Sequence, residues 1–368
     1  MDGPVTLSQP MDVYLGCYTQ PAAVNDGSGA GGITLCALDP SRGRLVIRAL
    51  AAEMHNPSYL ALDQTCQYLL AVSENIQAEG AVYAFRRHTD GGLTPMSFQP
   101  SGGRSSCHVC VTREGLVCVS SYGDGRSTFY SLRQGIISSV EHQHGYQAHR
   151  QTESKKNSRA HQAVAAPNGK WLYVCDLGLD CIWRHALADA KAIAAAPVAF
   201  ATPDNYGPRH MVFHPVQPRA YAVCEHNGHL LTWHWNSTSG DLVLLDDAVS
   251  LPAAWTGQPA AAAIAIHPSL QALYVSNRNH DSLAFFRLDS TGRATLAGHV
   301  AAGGKTPRDF AIDPSGRWLL CANQHSNHIA IHALDETSGL PTQRPPELVS
   351  TRCPACVLFA APRGPASR

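Results

Sequence analysis

Charged and imidazole side chains return at matching places along this chain of 368 residues, roughly every 50 residues. Guanidinium groups stabilise negative charge that develops during a reaction, and they hold carboxylates and phosphates through paired hydrogen bonds. Carboxylates and imidazoles move a proton to or from a reacting group. The candidates, one amide among them, are Glu74, His108, His161, Arg209, His210, Glu225, Arg278, Arg308, Asp309 and Gln324. We expect them to form a site for a small, negatively charged molecule.

The candidates lie in a repeated phrase: an apolar strand, a turn of the Pro-Ser-Gly type, and a second apolar strand that ends in a polar residue. Six copies begin near residues 57, 108, 161, 209, 262 and 308. In the fourth copy, strand-like stretches at 210–214, 220–224, 230–235 and 242–248 are separated by turn residues. Four strands in a repeat of this length predict the blades of an all-β propeller.

The two ends of the chain complete the count of blades. Residues 354–368 contain one strand-like stretch, and residues 12–52 contain three more. Joined in one sheet, they predict a seventh blade that closes the ring and protects its edges. The sequence therefore predicts a seven-bladed β-propeller with four-stranded blades. Because each blade buries its faces only against its neighbours, we expect one domain over residues 1–368.

The predicted blades bring the candidate residues together. In an antiparallel blade, the start of the innermost strand and the end of the second strand lie at the same rim. The candidates occupy these two positions, so they gather around one mouth of the central channel. Other polar residues fall at the same rim, namely Thr19, Asn56, Tyr122 and Asn323. We therefore expect a cup lined by arginine, carboxylate and imidazole groups.

Composition argues against several classes of partner. Lysine plus arginine equals aspartate plus glutamate, at 28 residues each, so net charge favours neither nucleic acid nor an anionic membrane. No apolar stretch has the length of a membrane-spanning helix, and residues 1–12 have no basic start before an apolar run. Twelve cysteines without a secretory signal are typical of reduced thiols. We expect a cytoplasmic protein, either a monomer or a weak homo-oligomer.

Specific motifs accompany the repeats at residues 13–19, 56–62, 176–180, 207–210, 276–282 and 307–314, among them Gly207-Pro208-Arg209-His210. Through these motifs the chain resembles the lactonase family of seven-bladed propellers. That family includes bacterial 6-phosphogluconolactonases and fungal carboxy-muconate lactonizing enzymes. The motifs cover almost the whole chain in order, and they indicate the family more strongly than the substrate, because one fold hosts several reactions.

The resemblance implies that His161, Arg209, Glu225 and Arg278 are the catalytic residues. The family has a histidine that opens the third blade and an arginine after Gly-Pro at the start of the fourth blade. It also has a glutamate at the end of the fourth blade's second strand, and a later arginine. This chain departs from the family at one place: the usual His-x-His of the third blade is Arg159-Ala160-His161 here. The cationic segment 149–159 that leads into it either shapes a different anion pocket or is a solvated loop.

The resemblance implies hydrolysis of a small anionic sugar lactone such as 6-phosphogluconolactone. Arg209 and Arg278 would stabilise the oxyanion that forms when water attacks the carbonyl. Glu225 and His161 would exchange protons with water and with the departing oxygen, in either assignment. The first alternative is ring closure of a carboxymuconate, in which arginines hold substrate carboxylates. The second is a propeller without catalytic activity that binds a ligand or a protein on its rim.

The remaining candidates are assigned to substrate binding, with a structural role as the alternative for each. Arg308 could clamp a carboxylate or a phosphate, or form an ion pair with Asp309. The other residues in this group are His210, His108, Glu74 and Gln324. Neither reaction needs a metal or another cofactor, and several arginines in one cup would repel a cation. We therefore expect neither a metal ion nor another cofactor.

Overall fold

The computed structural model describes residues 9–19, 31–149, 156–188, 191–192 and 196–360, and their regular secondary structure is almost only β-strand. Thirty strands within them build seven sheets. The first three, β1 (Met11–Cys17), β2 (Gly32–Asp39) and β3 (Arg44–Glu53), belong to the last blade. Blade 1 follows, with β4 (Pro57–Leu62), β5 (Tyr68–Ser73), β6 (Glu79–Arg87) and β7 (Leu93–Arg104).

Blades 2 and 3 each have an outer strand in two pieces. Blade 2 consists of β8 (Ser106–Val111), β9 (Leu116–Ser121), β10 (Arg126–Arg133), β11 (Ile136–Ile137) and β12 (His142–Gly145), and a 3-10 turn (Tyr146–His149) follows it. Blade 3 consists of β13 (Ala160–Ala165), β14 (Trp171–Asp176), β15 (Cys181–Ala188), β16 (Lys191–Ala192) and β17 (Val198–Ala201). In both blades the two short strands pair with the third strand, where one outer strand was expected.

The last three repeats follow the four-strand plan. Blade 4 consists of β18 (Pro208–Phe213), β19 (Arg219–Cys224), β20 (His229–Trp235) and β21 (Leu242–Val249). Blade 5 consists of β22 (Ala261–Ile266), β23 (Ala272–Asn277), β24 (Ser282–Leu288) and β25 (Ala294–Ala301). Blade 6 consists of β26 (Pro307–Ile312), β27 (Trp318–Asn323), a 3-10 turn (Gln324–Ser326), β28 (His328–Ala333) and β29 (Glu347–Ser350).

The ring is closed by the two ends of the chain, as the sequence predicts. Strand β30 (Pro354–Ala360) is the innermost strand of blade 7 and pairs antiparallel with β1. The sheet order is therefore β30, β1, β2, β3 from the channel outward. The seven-bladed propeller fold is confirmed, and each innermost strand begins within two residues of its predicted start. Residues 20–30 and 361–368 of the predicted seventh blade lie outside the described residues.

The apolar core lies between neighbouring blades. Seven clusters of buried side chains each join two adjacent sheets, for example Val72 and Val82 of blade 1 with Val119 of blade 2. Polar contacts cross the same interfaces, since Trp318 Nε1 in blade 6 donates to Pro40 O in blade 7 over 2.9 Å. Each blade thus buries its faces against its neighbours and not within itself. Among the described residues, no helix is long and apolar enough to cross a bilayer.

Candidate functional site

A β-bulge at the start of every innermost strand sets the first layer of the site. In all seven blades, the pairing between the first and second strands shifts at this point. A bulge places an extra residue opposite its partner strand and redirects that side chain. The residues at or directly beside the shift include Cys107, His161, Arg209, and Arg308. The repeated irregularity therefore places four side chains, one thiol, one imidazole and two guanidinium groups, at one rim.

The residue that follows each second strand supplies the other half of this layer. Its backbone N–H donates to the carbonyl just before the innermost strand of the same blade, as in Glu225 N to Gly207 O over 2.8 Å. Equivalent bonds of 2.8 to 3.1 Å occur in all seven blades. The residues held in this way are Tyr18, Glu74, Tyr122, Leu177, Glu225, Arg278 and Gln324. Their side chains therefore lie at the same rim as the bulge residues.

Two arginines share one carboxylate at the centre of this rim. Glu225 Oε2 lies 3.0 Å from Nε of Arg209 and 2.7 Å from Nη2 of Arg278. Arg209 is buried, and its Nη1 donates to Ala262 O over 2.7 Å, which ties blade 4 to blade 5. Arg278 Nε donates to Ala260 O over 3.1 Å. The structure thus brings three of the four predicted catalytic residues into direct contact.

The electrostatics of this group keep all three residues charged at neutral pH. Burial raises the pKa of Glu225, but the charges of Arg278, Arg209 and the nearby Arg308 outweigh it, and the net result is a pKa below the usual value. Burial and the neighbouring charge of Arg278 lower the pKa of Arg209 to about 10. Glu225 is therefore a weak base, and both guanidinium groups are protonated.

Arg308 and Glu74 form a second charged group beside the first. Arg308 Nη2 lies 3.9 Å from Glu74 Oε2, and its guanidinium lies over the ring of Tyr18 at 5.1 Å. The Tyr18 hydroxyl donates to Glu74 Oε2 over 2.8 Å. Burial lowers the pKa of Arg308, but Tyr18 and Glu74 reverse this effect and raise it above its usual value. Arg308 does not pair with Asp309, which was the structural alternative considered for it.

His161 is a buried neutral imidazole next to these arginines. Its ring lies 5.1 Å from the ring of His210 and 6.0 Å from that of Tyr122, measured between centroids. Burial and the charge of Arg209 hold the pKa of His161 well below its usual value. Within the described part of the chain, nothing hydrogen-bonds to its Nδ1. A neutral imidazole with an unused ring nitrogen can accept a proton.

His210, His108 and Asp309 lie one residue further along their strands and line the central channel. Burial and Arg209 lower the pKa of His108 to about 3, and the pKa of His210 falls for the same reasons. Asp309 Oδ2 accepts a hydrogen bond from Val357 N over 2.9 Å, and burial raises its pKa to about 6. His210 and Asp309 border a channel cavity of about 280 Å³, with Tyr59 beside them. The channel wall thus lies directly below the arginine groups.

Sequence reasoning missed two residues that the repeat itself could have indicated. Tyr18 occupies the same position after its second strand as Glu225 does in blade 4, and it contacts both Glu74 and Arg308. Cys107 occupies the bulge of blade 2, and its Sγ contacts His161 O at 3.4 Å. Burial raises the pKa of Cys107 to about 12, so the thiol stays protonated and holds the backbone of His161. Aligning the seven copies position by position would have found both.

Gln324 is buried at the start of the 3-10 turn of blade 6, and its backbone N–H donates to Thr306 O over 3.0 Å. It lies at the predicted rim position. Of the cationic segment 149–159, residues 150–155 lie outside the described residues. Among the described residues, no group of three or more His, Cys, Asp and Glu side chains is arranged to hold a metal ion.

Comparison with known proteins agrees with this architecture. The family model described as "Lactonase, 7-bladed beta-propeller" matches residues 12–359. A 6-phosphogluconolactonase of Bacillus subtilis is 27% identical over 350 residues, which cover 94% of this chain and 97% of that protein. A 6-phosphogluconolactonase of Formosa agariphila is 31% identical over 312 residues, or 80% of this chain and 86% of that protein.

A solved structure shows the same fold. The periplasmic gluconolactonase of Pseudomonas aeruginosa superposes with a TM-score of 0.87 at 24% identity, and the match covers 96% of this chain and 99% of that one. At this level of identity the likeness concerns the fold alone.

Proposed function

The chain belongs to the lactonase family of seven-bladed β-propellers, and we propose that it hydrolyses a small anionic sugar lactone, with 6-phosphogluconolactone as the substrate. Two relatives named 6-phosphogluconolactonase match this chain over 97% and 86% of their own lengths. The observation that supports the proposal most strongly is the cluster of Arg209, Arg278 and Glu225 beside a neutral His161. This cluster combines fixed positive charge with a proton acceptor.

In the proposed mechanism, His161 is the general base. Water gives a proton to the imidazole as its oxygen attacks the lactone carbonyl carbon, and the carbonyl oxygen becomes an oxyanion. When the ring C–O bond breaks, the imidazolium returns the proton to the departing oxygen. Glu225 is a poorer candidate for the base, because two guanidinium groups hold its Oε2, whereas Nδ1 of His161 has no hydrogen-bond partner among the described residues.

We assign different roles to the three arginines according to the exposure of their side chains. The Arg209 side chain is 3% exposed and is engaged by Glu225 and Ala262 O, so it supports the cluster from below. The Arg278 side chain is 16% exposed, and we assign it to the oxyanion. The Arg308 side chain, at 19%, adds positive charge to the same cup. Glu225 positions the two guanidinium groups and does not transfer a proton.

Hydrolysis of 6-phosphogluconolactone at pH 7 tests this proposal. Acid release is followed in a pH-stat, and the spontaneous rate is subtracted. We expect kcat to fall about 10²- to 10⁴-fold in His161→Gln, which removes the base, and about 10²- to 10³-fold in Arg278→Gln, which removes the oxyanion donor. His88→Gln is the matched control, because this histidine is exposed on the β6–β7 turn and its side chain hydrogen-bonds only Thr94 among the described residues.

The proposal fails if the wild-type protein adds nothing to the spontaneous rate, or if His161→Gln keeps the wild-type kcat. A parallel assay with carboxymuconate, followed by loss of its conjugated absorbance, decides between ring opening and ring closure. Ring closure without lactone hydrolysis would overturn the assignment as a hydrolase.

A further inference from the structure

A second cleft opens beside the arginine cluster, where residues of blades 1 and 2 meet the segment that leads into blade 3. Its volume is about 510 Å³, and the residues that matter for its chemistry are Arg104, Tyr122, Asp124, Gln147, Asn157 and Arg159. Tyr122 connects the predicted catalytic residues with the cleft. Its ring lies 6.0 Å from the ring of His161, and the Arg159 guanidinium lies over its face at 5.2 Å from the centroid. The cleft therefore lies next to His161, with Tyr122 in contact with both.

Arg159 supplies positive charge that nothing in the described cleft neutralises. Its Nη1 donates to Gly123 O over 2.7 Å and to Tyr122 O over 3.3 Å, and both acceptors are neutral carbonyls. Among the described residues, no hydrogen bond or ion pair engages its Nε or Nη2. The other cation, Arg104, is already paired with Asp124 at 2.9 Å. These described residues thus leave one unneutralised guanidinium, with N–H groups available to an anion.

The position of Arg159 is fixed by a buried anchor. Its backbone N–H donates to Asp176 Oδ1 over 2.7 Å, and Ser158 Oγ donates to Asp176 Oδ2 over 2.6 Å. Neutral amide groups lie nearby, since Gln147 Oε1 accepts from Ser158 N over 2.7 Å and Asn157 lines the same wall. A stacked, anchored guanidinium with amides around it suits a phosphate, which presents several acceptor oxygens to one fixed donor group.

We propose that this cleft binds the phosphate of a phosphorylated sugar lactone, with Arg159 as the residue that selects the phosphorylated over the unphosphorylated substrate. This inference rests on the proposed function. A phosphorylated sugar lactone carries its phosphate on a carbon outside the ring, apart from the carbonyl oxygen that becomes the oxyanion. The arginine cluster and the adjacent cleft therefore match two separate centres of negative charge. Arg159 gives the cleft a permanent positive charge.

The test compares 6-phosphogluconolactone with gluconolactone as substrates of the same variants. We expect Arg159→Gln to lower kcat/KM about 10- to 100-fold for the phosphorylated lactone, as for loss of a hydrogen bond to a charged group, and to leave gluconolactone turnover within about twofold. Arg184→Gln is the matched control. Its guanidinium also stacks on an aromatic ring, Trp171 at 4.7 Å, and donates to a carbonyl, Ser239 O at 2.5 Å, but it does not line the cleft.

A second variant keeps the test sharp if Arg159→Gln folds poorly. Asn157→Asp adds a negative charge to the cleft at an exposed side chain, and we expect the same selective loss from it. Equal losses on both lactones would show that the cleft acts only through the structure of the site, and no loss on either would place the phosphate elsewhere. Both results overturn the inference.

Binding of the reaction products separates this inference from the proposed function. If the wild-type protein hydrolyses neither lactone, calorimetric titration with 6-phosphogluconate and with gluconate still tests the cleft. Tighter binding of the phosphorylated acid that disappears in Arg159→Gln supports a phosphate site in a protein that is not a lactonase. Equal affinity for the two acids overturns the phosphate site.

Discussion

Replacing Glu225 by glutamine tests whether one carboxylate holds the two arginines of the site in place. In the wild-type protein, Glu225 Oε2 lies 3.0 Å from Nε of Arg209 and 2.7 Å from Nη2 of Arg278. The amide oxygen of glutamine can still accept a hydrogen bond from one guanidinium, but it carries no charge. The guanidinium groups of Arg209 and Arg278 would then face each other at the rim of the channel without a negative charge between them, and Arg209 would remain buried.

The expected loss of stability follows from the burial of the partners. Removing one member of a buried ion pair costs about 3–5 kcal/mol, because it leaves an uncompensated buried charge. The Glu225 side chain is 24% exposed, and solvent screens part of the charge that remains, so we expect about 2–3 kcal/mol in the free energy of unfolding. The guanidinium groups also lose their common anchor, and we expect kcat for lactone hydrolysis to fall about 10²-fold.

The lowered pKa of Glu225 predicts how the stability lost in Glu225→Gln changes with pH. The pKa of Glu225 is lower in the folded protein than its usual value, so its ionised form contributes stability that is fully present above the unfolded pKa of about 4.3. That contribution is lost as the pH falls through the lower, folded pKa. The difference between wild type and Glu225→Gln should therefore be constant above about pH 5 and should shrink below about pH 4.

Urea unfolding followed by tryptophan fluorescence measures the loss, and the pH-stat assay measures turnover. The double variant Glu225→Gln with Arg278→Gln removes one of the two repelling charges, so it should be more stable than Glu225→Gln alone. Glu336→Gln is the control, because this carboxylate is 62% exposed and lies 3.7 Å from Arg317; we expect less than about 0.5 kcal/mol from it. If Glu225→Gln unfolds at the wild-type midpoint at pH 7, the shared carboxylate does not stabilise the cluster and the reasoning is wrong.

Two further predictions concern neighbouring groups. Asp309→Asn should stabilise the protein at pH 7, by up to about 3 kcal/mol, because burial raises the pKa of Asp309 to about 6. Its ionisation therefore opposes folding increasingly from the unfolded pKa of about 4 upwards, and fully above about pH 6. The amide can still accept from Val357 N, so the gain should vanish near pH 4 in urea unfolding curves, and a pH-independent gain would contradict this account. Tyr18→Phe keeps the ring under Arg308 but removes the 2.8 Å hydrogen bond to Glu74, so we expect a loss of about 1–3 kcal/mol. An unchanged unfolding midpoint would show that Glu74 needs no partner other than Arg308.

The strands could be predicted from sequence wherever turn residues frame a buried apolar stretch. In blade 4, the predicted stretches 210–214, 220–224 and 230–235 each overlap an observed strand to within two residues at either end. The divided outer strands of blades 2 and 3 were not predicted. An outer strand has an exposed face and only one paired edge, so local chain geometry decides where it breaks and the apolar pattern does not.

The rim could be predicted, but the contacts within it could not. Strand direction alone places Arg209, Glu225 and Arg278 at one end of the channel. That Arg209 and Arg278 share Glu225 depends on the bulge beside Arg209, and the apolar pattern of the strand gives no signal for a bulge. Tyr18 was missed because an aromatic residue at the end of an apolar run is typical of the strand core, whereas here its hydroxyl bonds a carboxylate.

The bulges also explain how a ring of separate blades holds a rigid site. Arg209 in blade 4 donates to the carbonyl of Ala262 at the bulge of blade 5, and the Cys107 thiol in blade 2 contacts the carbonyl of His161 at the bulge of blade 3. Each contact fixes a rim side chain to the backbone of the following blade. Charges fixed before the substrate arrives need no rearrangement during the reaction, which makes them effective in stabilising an oxyanion. Closure of the ring by β30 and β1 therefore bears on the site as well as on stability, because it fixes the spacing between neighbouring blades that these contacts require.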